Sequence, residues 1–196
     1  MKNYALIATL AFATLFTACK NDKKDSPESG EEMQQEEMKE TTQETEKMVI
    51  EIMMEPKSES TAMGRAQFVE ENGMVTMTAK FRGLTPGMHA IHLHEKADCS
   101  APDGTSTGGH WNPTFAQHGK WGDEAGYHKG DIGNFEADDQ GSGGIKFATD
   151  EWCIGCDDDT KNIIGKAVIV HEGVDDFVTQ PTGDAGGRIS CGGIIQ

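Results

Sequence analysis

Histidines are the residues in this chain whose type and spacing could do chemistry. There are seven of them: His89, His92, His94, His110, His118, His128 and His171. His92 and His94 flank a single leucine, so on a β-strand both rings project from one face, close enough to share a metal ion. His171 follows a short apolar run, and we expect it to meet this pair across a β-sandwich. Several imidazoles with an open coordination position suit copper.

A second group of potential ligands follows along the chain. His110, His118 and His128 are followed by Asp131, three residues after the last histidine. Three imidazoles and one carboxylate are a typical tetrahedral zinc set. A lone histidine is more often a satisfied polar residue than a ligand, but the combined spacing makes a chance arrangement improbable. The sequence therefore predicts two neighbouring metal sites.

Short strands must position these ligands. Val75, Met77, Ala79 and Phe81 alternate with polar residues, which is typical of a strand with one apolar face. Further strands are predicted at 49–54, 63–69, 89–95, 144–148 and 166–171, and no long helical periodicity appears after residue 48. Two long segments, 96–130 and 175–188, interrupt this rhythm, and loops of that length are usually functional or tied down. We predict an all-β sandwich or flattened barrel of antiparallel strands.

The N-terminal region has a different composition. Residues 1–18 hold one positive charge and an apolar run too short to span a bilayer, which predicts a secretory signal peptide. Small residues before Cys19 resemble the lipobox of bacterial lipoproteins, which implies a lipidated cysteine; the alternative is an ordinary cleaved signal. Residues 20–47, with ten acidic and five basic residues and no aromatic, predict a disordered acidic tether. We expect residues 48–196 to form the folded domain.

This pattern predicts an exported cell-envelope lipoprotein. The lipid on Cys19 would attach it to a membrane, in the periplasm or at the outer membrane, with surface exposure left open. The net charge of −16 argues against a nucleic-acid partner, because binding to phosphate backbones needs clustered Lys and Arg. Residues 48–196 alone carry 11 basic and 23 acidic residues, so the acidity is not mainly a property of the tether.

The remaining cysteines are even in number if Cys19 carries lipid. Cys99, Cys153, Cys156 and Cys191 would lie in an oxidising compartment, where two disulfides become possible. Cys153 and Cys156 form a Cys-x-x-Cys motif, which can be a redox pair, half of a metal site or a small local disulfide. Its polar surroundings favour a disulfide that staples an inserted hairpin.

Five strings of residues resemble the bacterial, lipoprotein-type branch of the Cu/Zn superoxide dismutase family. They are GLTPGMHAIHLH at 83–94, GHWNP at 109–113, HKGDIGN at 128–134, VHE at 170–172 and AGGRISCG at 185–192. The resemblance spans residues 48–196. It implies a Greek-key sandwich or flattened barrel of about eight antiparallel strands with two long functional loops.

The resemblance also implies a role for each matching residue. Copper would be held by His92, His94, His110 and His171, and zinc by His110, His118, His128 and Asp131, one ion of each per subunit. His110 would bridge the two ions, and Asp175 would link one copper histidine to one zinc histidine. Arg188 would bind the substrate anion, Cys99 and Cys191 would form a disulfide, and His89 would be structural.

The implied activity is the conversion of superoxide to dioxygen and hydrogen peroxide by copper redox cycling, which would protect the cell envelope. The family is commonly dimeric, so a homodimer is expected. One alternative is a non-enzymatic envelope lipoprotein that binds copper or zinc on the same scaffold, although such a descendant would be expected to lose His110 or Arg188. Another is a zinc-only hydrolase, which would leave one zinc position open to water.

Overall fold

The computed structural model describes residues 47–196, and the predicted signal peptide, Cys19 and most of the tether lie outside them. Eight strands form in this range: β1 Met48–Pro56, β2 Met63–Glu71, β3 Met74–Arg82, β4 Gly87–His94, β5 Gly133–Ala137, β6 Gly143–Thr149, β7 Ala167–His171 and β8 Arg188–Gly193. The helical content of the same range is one 3₁₀ turn at Thr105–Thr107. Within these residues no helix has the length and apolar character needed to cross a membrane.

The strands close into one antiparallel barrel. Their order around it is β1-β2-β3-β6-β5-β4-β7-β8, and pairing of β8 with β1 completes the ring. The chain passes two intervening strands when it goes from β3 to β4, and again from β6 to β7, which are Greek-key connections. The predicted all-β fold of about eight strands is confirmed.

Strand β4 is the element that carries the chemistry, because both of its faces are buried from His89 to its end. Ile91 and Leu93 belong to the apolar core inside the barrel. Since side chains alternate along a strand, His92 and His94 project from the outer face. Each is at most 1% exposed, so the loops that follow the strands at this end of the barrel must cover that face.

Strand β7 brings His171 to the same face. It pairs directly with β4, with Ile91 opposite Val170. The expectation that His171 meets His92 and His94 across a sandwich is therefore wrong: the three lie on adjacent strands of one sheet. A register irregularity between Val170 and His171 marks the point where β7 ends against β8.

Two strands were not among those predicted from the sequence. Strand β5 is five residues long and follows directly on the histidine-rich loop, and β8 begins at Arg188 and contains two glycines. Neither carries the long apolar alternation seen in β3, so local pattern alone does not reveal them. Strand β5 forms because it pairs with β4, and β8 forms because it pairs with β7; the strand propensity of their own residues is too weak to predict either one.

Three long connections leave the barrel: 95–132, 150–166 and 172–187. The first and third correspond to the two long loops expected from the sequence. The second contains the disulfide Cys153–Cys156. It is not a hairpin, because Cys153 pairs with Asn162 in a parallel bridge, so the disulfide is present but the predicted hairpin is wrong.

The disulfide Cys99–Cys191 joins the 95–132 loop to β8 across a sequence separation of 92. In the chain-entropy model a closed loop of this length stabilises by about 4 to 5 kcal/mol, and a four-residue loop by about 2 kcal/mol. We expect Cys99→Ser/Cys191→Ser to lose about twice as much free energy of unfolding as Cys153→Ser/Cys156→Ser. Urea unfolding of the metal-free proteins measures both, and equal losses would contradict the chain-entropy account.

Candidate metal centre

Four buried histidines form the first group of the site. His92 and His94 come from β4 and His171 ends β7, whereas His110 reaches the group from the 95–132 loop through an isolated bridge with His94. One ring nitrogen of each lies within 4.8 Å of one ring nitrogen of every other. The rings of His92 and His110 are closest, with centroids 3.9 Å apart. The structure thus assembles all four residues predicted to bind copper.

The second group lies entirely within the 95–132 loop. His110, His118, His128 and Asp131 are buried, and their donor atoms also lie within 4.8 Å of one another. Asp131 Oδ1 is 2.8 Å from His110 Nδ1, and Asp131 Oδ2 is 3.0 Å from His118 Nδ1. Backbone N–H groups of His128 and Gly119 donate to Asp131 Oδ2 and fix its orientation. All four residues predicted to bind zinc are therefore together.

Ring nitrogens without partners define where cations would sit. In the part of the chain that the structure describes, six buried ones make no hydrogen bond of good geometry: His92 Nδ1, His94 Nε2, His110 Nε2, His118 Nδ1, His128 Nδ1 and His171 Nε2. Two of them, His118 Nδ1 and His128 Nδ1, lie 3.0 and 3.2 Å from the Asp131 carboxylate. Leaving a buried polar atom unsatisfied costs about 1 to 3 kcal/mol. These atoms fall into the two groups just described, so a cation in each would satisfy them. Four imidazoles suit copper, and three imidazoles with a carboxylate suit zinc.

The opposite nitrogens of these rings are held by the protein. His92 Nε2 donates to Asp175 Oδ2 at 2.8 Å, and His118 Nε2 donates to Asp175 Oδ1 at 2.9 Å. His94 Nδ1 lies 2.9 Å from the carbonyl of Gly108, and His171 Nδ1 lies 3.2 Å from that of Gly186. Such partners set the tautomer and the orientation of ligating histidines. Asp175 thus connects a ring of the first group to a ring of the second.

Two residues support Asp175 through contacts that the sequence did not predict. Asn134 holds its backbone from both sides, accepting from the Asp175 N–H and donating to the Asp175 carbonyl. Gly183 has a φ of 69°, and a Cβ there would overlap the Asp175 carboxylate and crowd the His118 ring. Both depend on contacts between chain segments, which spacing within one segment does not show.

Arg188 lies beside the first group. It is the cross-strand partner of His171. Its Nη1 donates to the carbonyl of Gly104 at 2.8 Å and to Thr107 Oγ1 at 3.0 Å. Thr107 Oγ1 in turn lies 3.4 Å from His94 Nδ1. The guanidinium is therefore held next to the four histidines while part of the side chain stays accessible to solvent.

The turn between β1 and β2 also holds Arg188, a contact that sequence reasoning missed. Ser58 Oγ donates to the Arg188 carbonyl at 2.8 Å, and the Ser58 N–H donates to the carbonyl of Pro102 at 2.8 Å. Lys57 Nζ donates to the carbonyl of Cys99. The turn thus fixes both the arginine backbone and the disulfide-bonded loop that supplies its acceptors.

His89 belongs to neither group. Its Nδ1 lies 2.9 Å from the carbonyl of His171, and its Nε2 lies 2.8 Å from the carbonyl of Thr85. With a partner on each nitrogen it has no free donor for a metal. This placement agrees with the structural role expected for it.

The comparisons with known proteins assign the family. Residues 62–194 match the family model described as copper/zinc superoxide dismutase (SODC). The chain belongs to the copper/zinc superoxide dismutase family. The predicted family and enzyme class are confirmed, and copper and zinc are the metals of this family. The lipoprotein-type branch stays a prediction.

Two relatives support the assignment. This superoxide dismutase is 34% identical over 140 residues to "Superoxide dismutase [Cu-Zn] 2" of Aquifex aeolicus, covering 69% of this chain and 80% of that one. It is also similar to a crystal structure from Bacillus subtilis, with a TM-score of 0.66, 30% identity, and coverage of 74% of this chain and 97% of that one. That structure is described as a double mutant of a superoxide dismutase-like protein in which two residues were changed to histidine.

Burial and the two carboxylates push the histidine pKa values of the superoxide dismutase in opposite directions. Burial lowers the pKa of His110 to about 4, although Asp131 opposes the shift. Burial also lowers the pKa values of His94 and His171 well below the usual range. For His118, burial would lower the pKa, but the Asp131 and Asp175 carboxylates raise it to about 9.

These shifts predict how the stability of the metal-free protein depends on pH. Below pH 6.5 the unfolded histidines protonate before the folded His110 does, so stability falls as pH drops from 6.5 towards 4. The contribution of His118 is present below pH 6.5 and is lost as pH rises through about 9. We expect urea midpoints of chelator-treated protein to be highest near pH 6.5. His118→Gln should remove most of the alkaline decline, and an unchanged decline in that variant would contradict this account.

Proposed function

We propose that this superoxide dismutase holds copper with His92, His94, His110 and His171, and zinc with His110, His118, His128 and Asp131. The observation that carries the assignment is the set of six unpartnered ring nitrogens, which divide into these two groups. His110 is counted twice because its Nε2 faces the first group while its Nδ1 lies beside Asp131 in the second. Each subunit would carry one ion of each metal.

Copper held by the first group would supply the one-electron chemistry by which two superoxide anions and two protons give dioxygen and hydrogen peroxide, and zinc would keep its valence. For His110, giving up both ring protons is unfavourable in water, and the ring would do so only while the copper-side and zinc-side groups both hold a cation. His110 Nε2, which has no hydrogen-bond partner among the described residues, is the ring atom that would hold a proton whenever no cation occupies it and would pass that proton to the reduced substrate. Asp131 keeps the other side of the ring in place throughout.

Arg188 binds the substrate anion. Superoxide must approach a domain whose 23 acidic residues exceed its 11 basic ones, and the 172–187 loop beside the site contains four acidic residues and neither lysine nor arginine. A fixed guanidinium supplies two parallel donors and does not deprotonate near neutral pH. Local fields in a cleft can oppose the net charge of a protein, so Arg188 and the two cations must supply the attraction.

Three versions of residues 20–196 test these roles together. The unchanged chain should contain one copper and one zinc and remove superoxide catalytically. Arg188→Ala should keep both metals but react about tenfold more slowly with a weaker ionic-strength dependence, because the fixed cation steers the anion. His171→Ala should lose copper, and with it activity, while keeping zinc. Metal analysis beside pulse-radiolysis kinetics measures all three.

A metal-loaded, folded protein without dismutation would support the alternative of a non-enzymatic copper- and zinc-binding lipoprotein. The presence of both His110 and Arg188 at the site favours the enzyme. An unchanged rate in Arg188→Ala would remove that residue from the mechanism without affecting the metal assignment.

We also propose that the enzyme acts in the cell envelope, anchored through lipid on Cys19. Two observations support this: the signal-like pattern of residues 1–19, and two disulfides in the folded domain, which are typical of oxidising compartments. In this position it would remove superoxide before it damages envelope components. A homodimer, expected from the family resemblance, stays a prediction.

Replacement of Cys19 tests the anchor. In a bacterial host, the unchanged protein should be found in the membrane fraction and incorporate labelled palmitate. Cys19→Ala should lose the label, since no acyl chain can be attached. Ser26→Ala is the matched control within the tether. Cys19→Ala protein that still incorporates labelled palmitate would contradict the lipid anchor.

A further inference from the structure

The 150–166 connection, which the family resemblance left unexplained, packs directly on the loop that carries the zinc-side ligands. Trp152 is 1% exposed, and its indole Nε1 donates to the carbonyl of Lys129 at 2.8 Å. Lys129 lies between His128 and Asp131, one residue after the histidine and two before the carboxylate. The indole therefore fixes the backbone of the segment that supplies two of the four proposed zinc ligands.

An ion pair makes a second link between the same two segments. Glu151 Oε2 accepts from Lys129 Nζ, and Glu151 Oε1 accepts from the Tyr127 hydroxyl at 2.6 Å. Tyr127 and Lys129 are the two neighbours of His128 in the chain. Both sides of that histidine are thus bound to one carboxylate from outside the metal centre.

Aromatic packing makes a third link. Trp121 lies between His118 and His128 in the chain, and its ring meets Trp152 edge-on, with centroids 5.9 Å apart. Phe147 of β6 packs against both Trp121 and Trp152, at 4.8 and 5.1 Å. The zinc-side segment thus rests on an aromatic cluster, of which Trp152 is the most buried member.

The disulfide keeps Trp152 in this position. Cys153 follows the tryptophan directly and is bonded to Cys156. Its N–H donates to the Lys161 carbonyl, and its own carbonyl accepts from the Ile163 N–H. Ile163 is fully buried in the core. Asn162 accepts from the Gly155 N–H and donates to the Cys156 carbonyl, so the covalent loop at the start of the connection is tied to its end, which the buried Ile163 fixes in the core.

We propose that the Cys153–Cys156 loop is a positioning element for the zinc site, with Glu151 and Trp152 as the residues through which it acts on His128 and Asp131. Neither residue touches the metal. Their effect is to hold the ligand-bearing backbone in the conformation that presents the His128 ring and the Asp131 carboxylate together. This inference rests on the zinc assignment proposed above.

Zinc release from the holoenzyme tests the proposal. Loss of a group that orients metal ligands typically costs about 10- to 100-fold in metal affinity. Trp152→Phe keeps an aromatic ring but lacks the indole N–H, Glu151→Gln removes the carboxylate charge, and Cys153→Ser/Cys156→Ser opens the covalent loop. Each should release zinc to a chromophoric chelator at least tenfold faster than the unchanged enzyme.

Two control variants separate positioning from general destabilisation. Ile163→Val trims a buried side chain of the same connection without altering a contact to Lys129 or Tyr127, and Asp159→Asn changes an exposed residue of that connection. Both should release zinc at the normal rate, even where Ile163→Val lowers the unfolding midpoint. With cobalt in the zinc site, the visible spectrum of Trp152→Phe should differ from that of Ile163→Val.

The outcomes are distinct. The three contact variants are Trp152→Phe, Glu151→Gln and Cys153→Ser/Cys156→Ser. If none of them releases zinc faster than the unchanged enzyme, or if the rate of zinc release follows the unfolding midpoint across all variants, the positioning role is overturned. His128→Ala reports on the underlying assignment. If that variant retains zinc like the unchanged enzyme, the proposed zinc site fails. If it loses zinc while the contact variants do not, only the positioning role fails.

Discussion

Among the described residues 47–196, the burial of six ring nitrogens without a hydrogen bond of good geometry is the constraint on which the rest of the structure depends. Each is a cost to the folded chain unless a cation occupies the point it faces. Carbonyls and Asp175 fix the opposite nitrogens, so the rings cannot turn to find other partners and the cost stays until a cation binds. A closed barrel beneath the site resists the rearrangement that would relieve the cost in another way.

The site and its scaffold are divided between the two faces of β4. Ile91 and Leu93 pack inside the barrel, whereas His92 and His94 stand outside under the loops. Changes to the core therefore alter stability without touching a ligand. Changes in the loops alter ligand geometry without opening the core. The 150–166 connection is the exception, because Trp152 belongs to the apolar core and also holds the zinc-side backbone.

Much of this could be predicted from the sequence, because the signals are local. The His-x-His pair, the loop histidines with Asp131, and the alternation in β3 each lie within one segment. What was missed depends on contacts between distant segments: Ser58 with Arg188, Asn134 with Asp175, and Trp152 with Lys129. The neighbouring position of His171 was also missed, since strand order around a barrel is set by the Greek-key connections rather than by any one strand.

The two hydrogen bonds that Asp175 accepts link the ordering of the copper-side ligands to the ordering of the zinc-side ligands. One of its oxygens accepts from a copper-side ring and the other from a zinc-side ring, and the residue itself belongs to the 172–187 loop, whereas His118 belongs to the 95–132 loop. Fixing either ring therefore restrains the carboxylate, and through it the other ring and the other loop. The ordering free energy supplied by the first ion need not be supplied again by the second. Because such coupling is reciprocal, whatever factor one ion contributes to the affinity for the other through this carboxylate is returned by the second ion to the first.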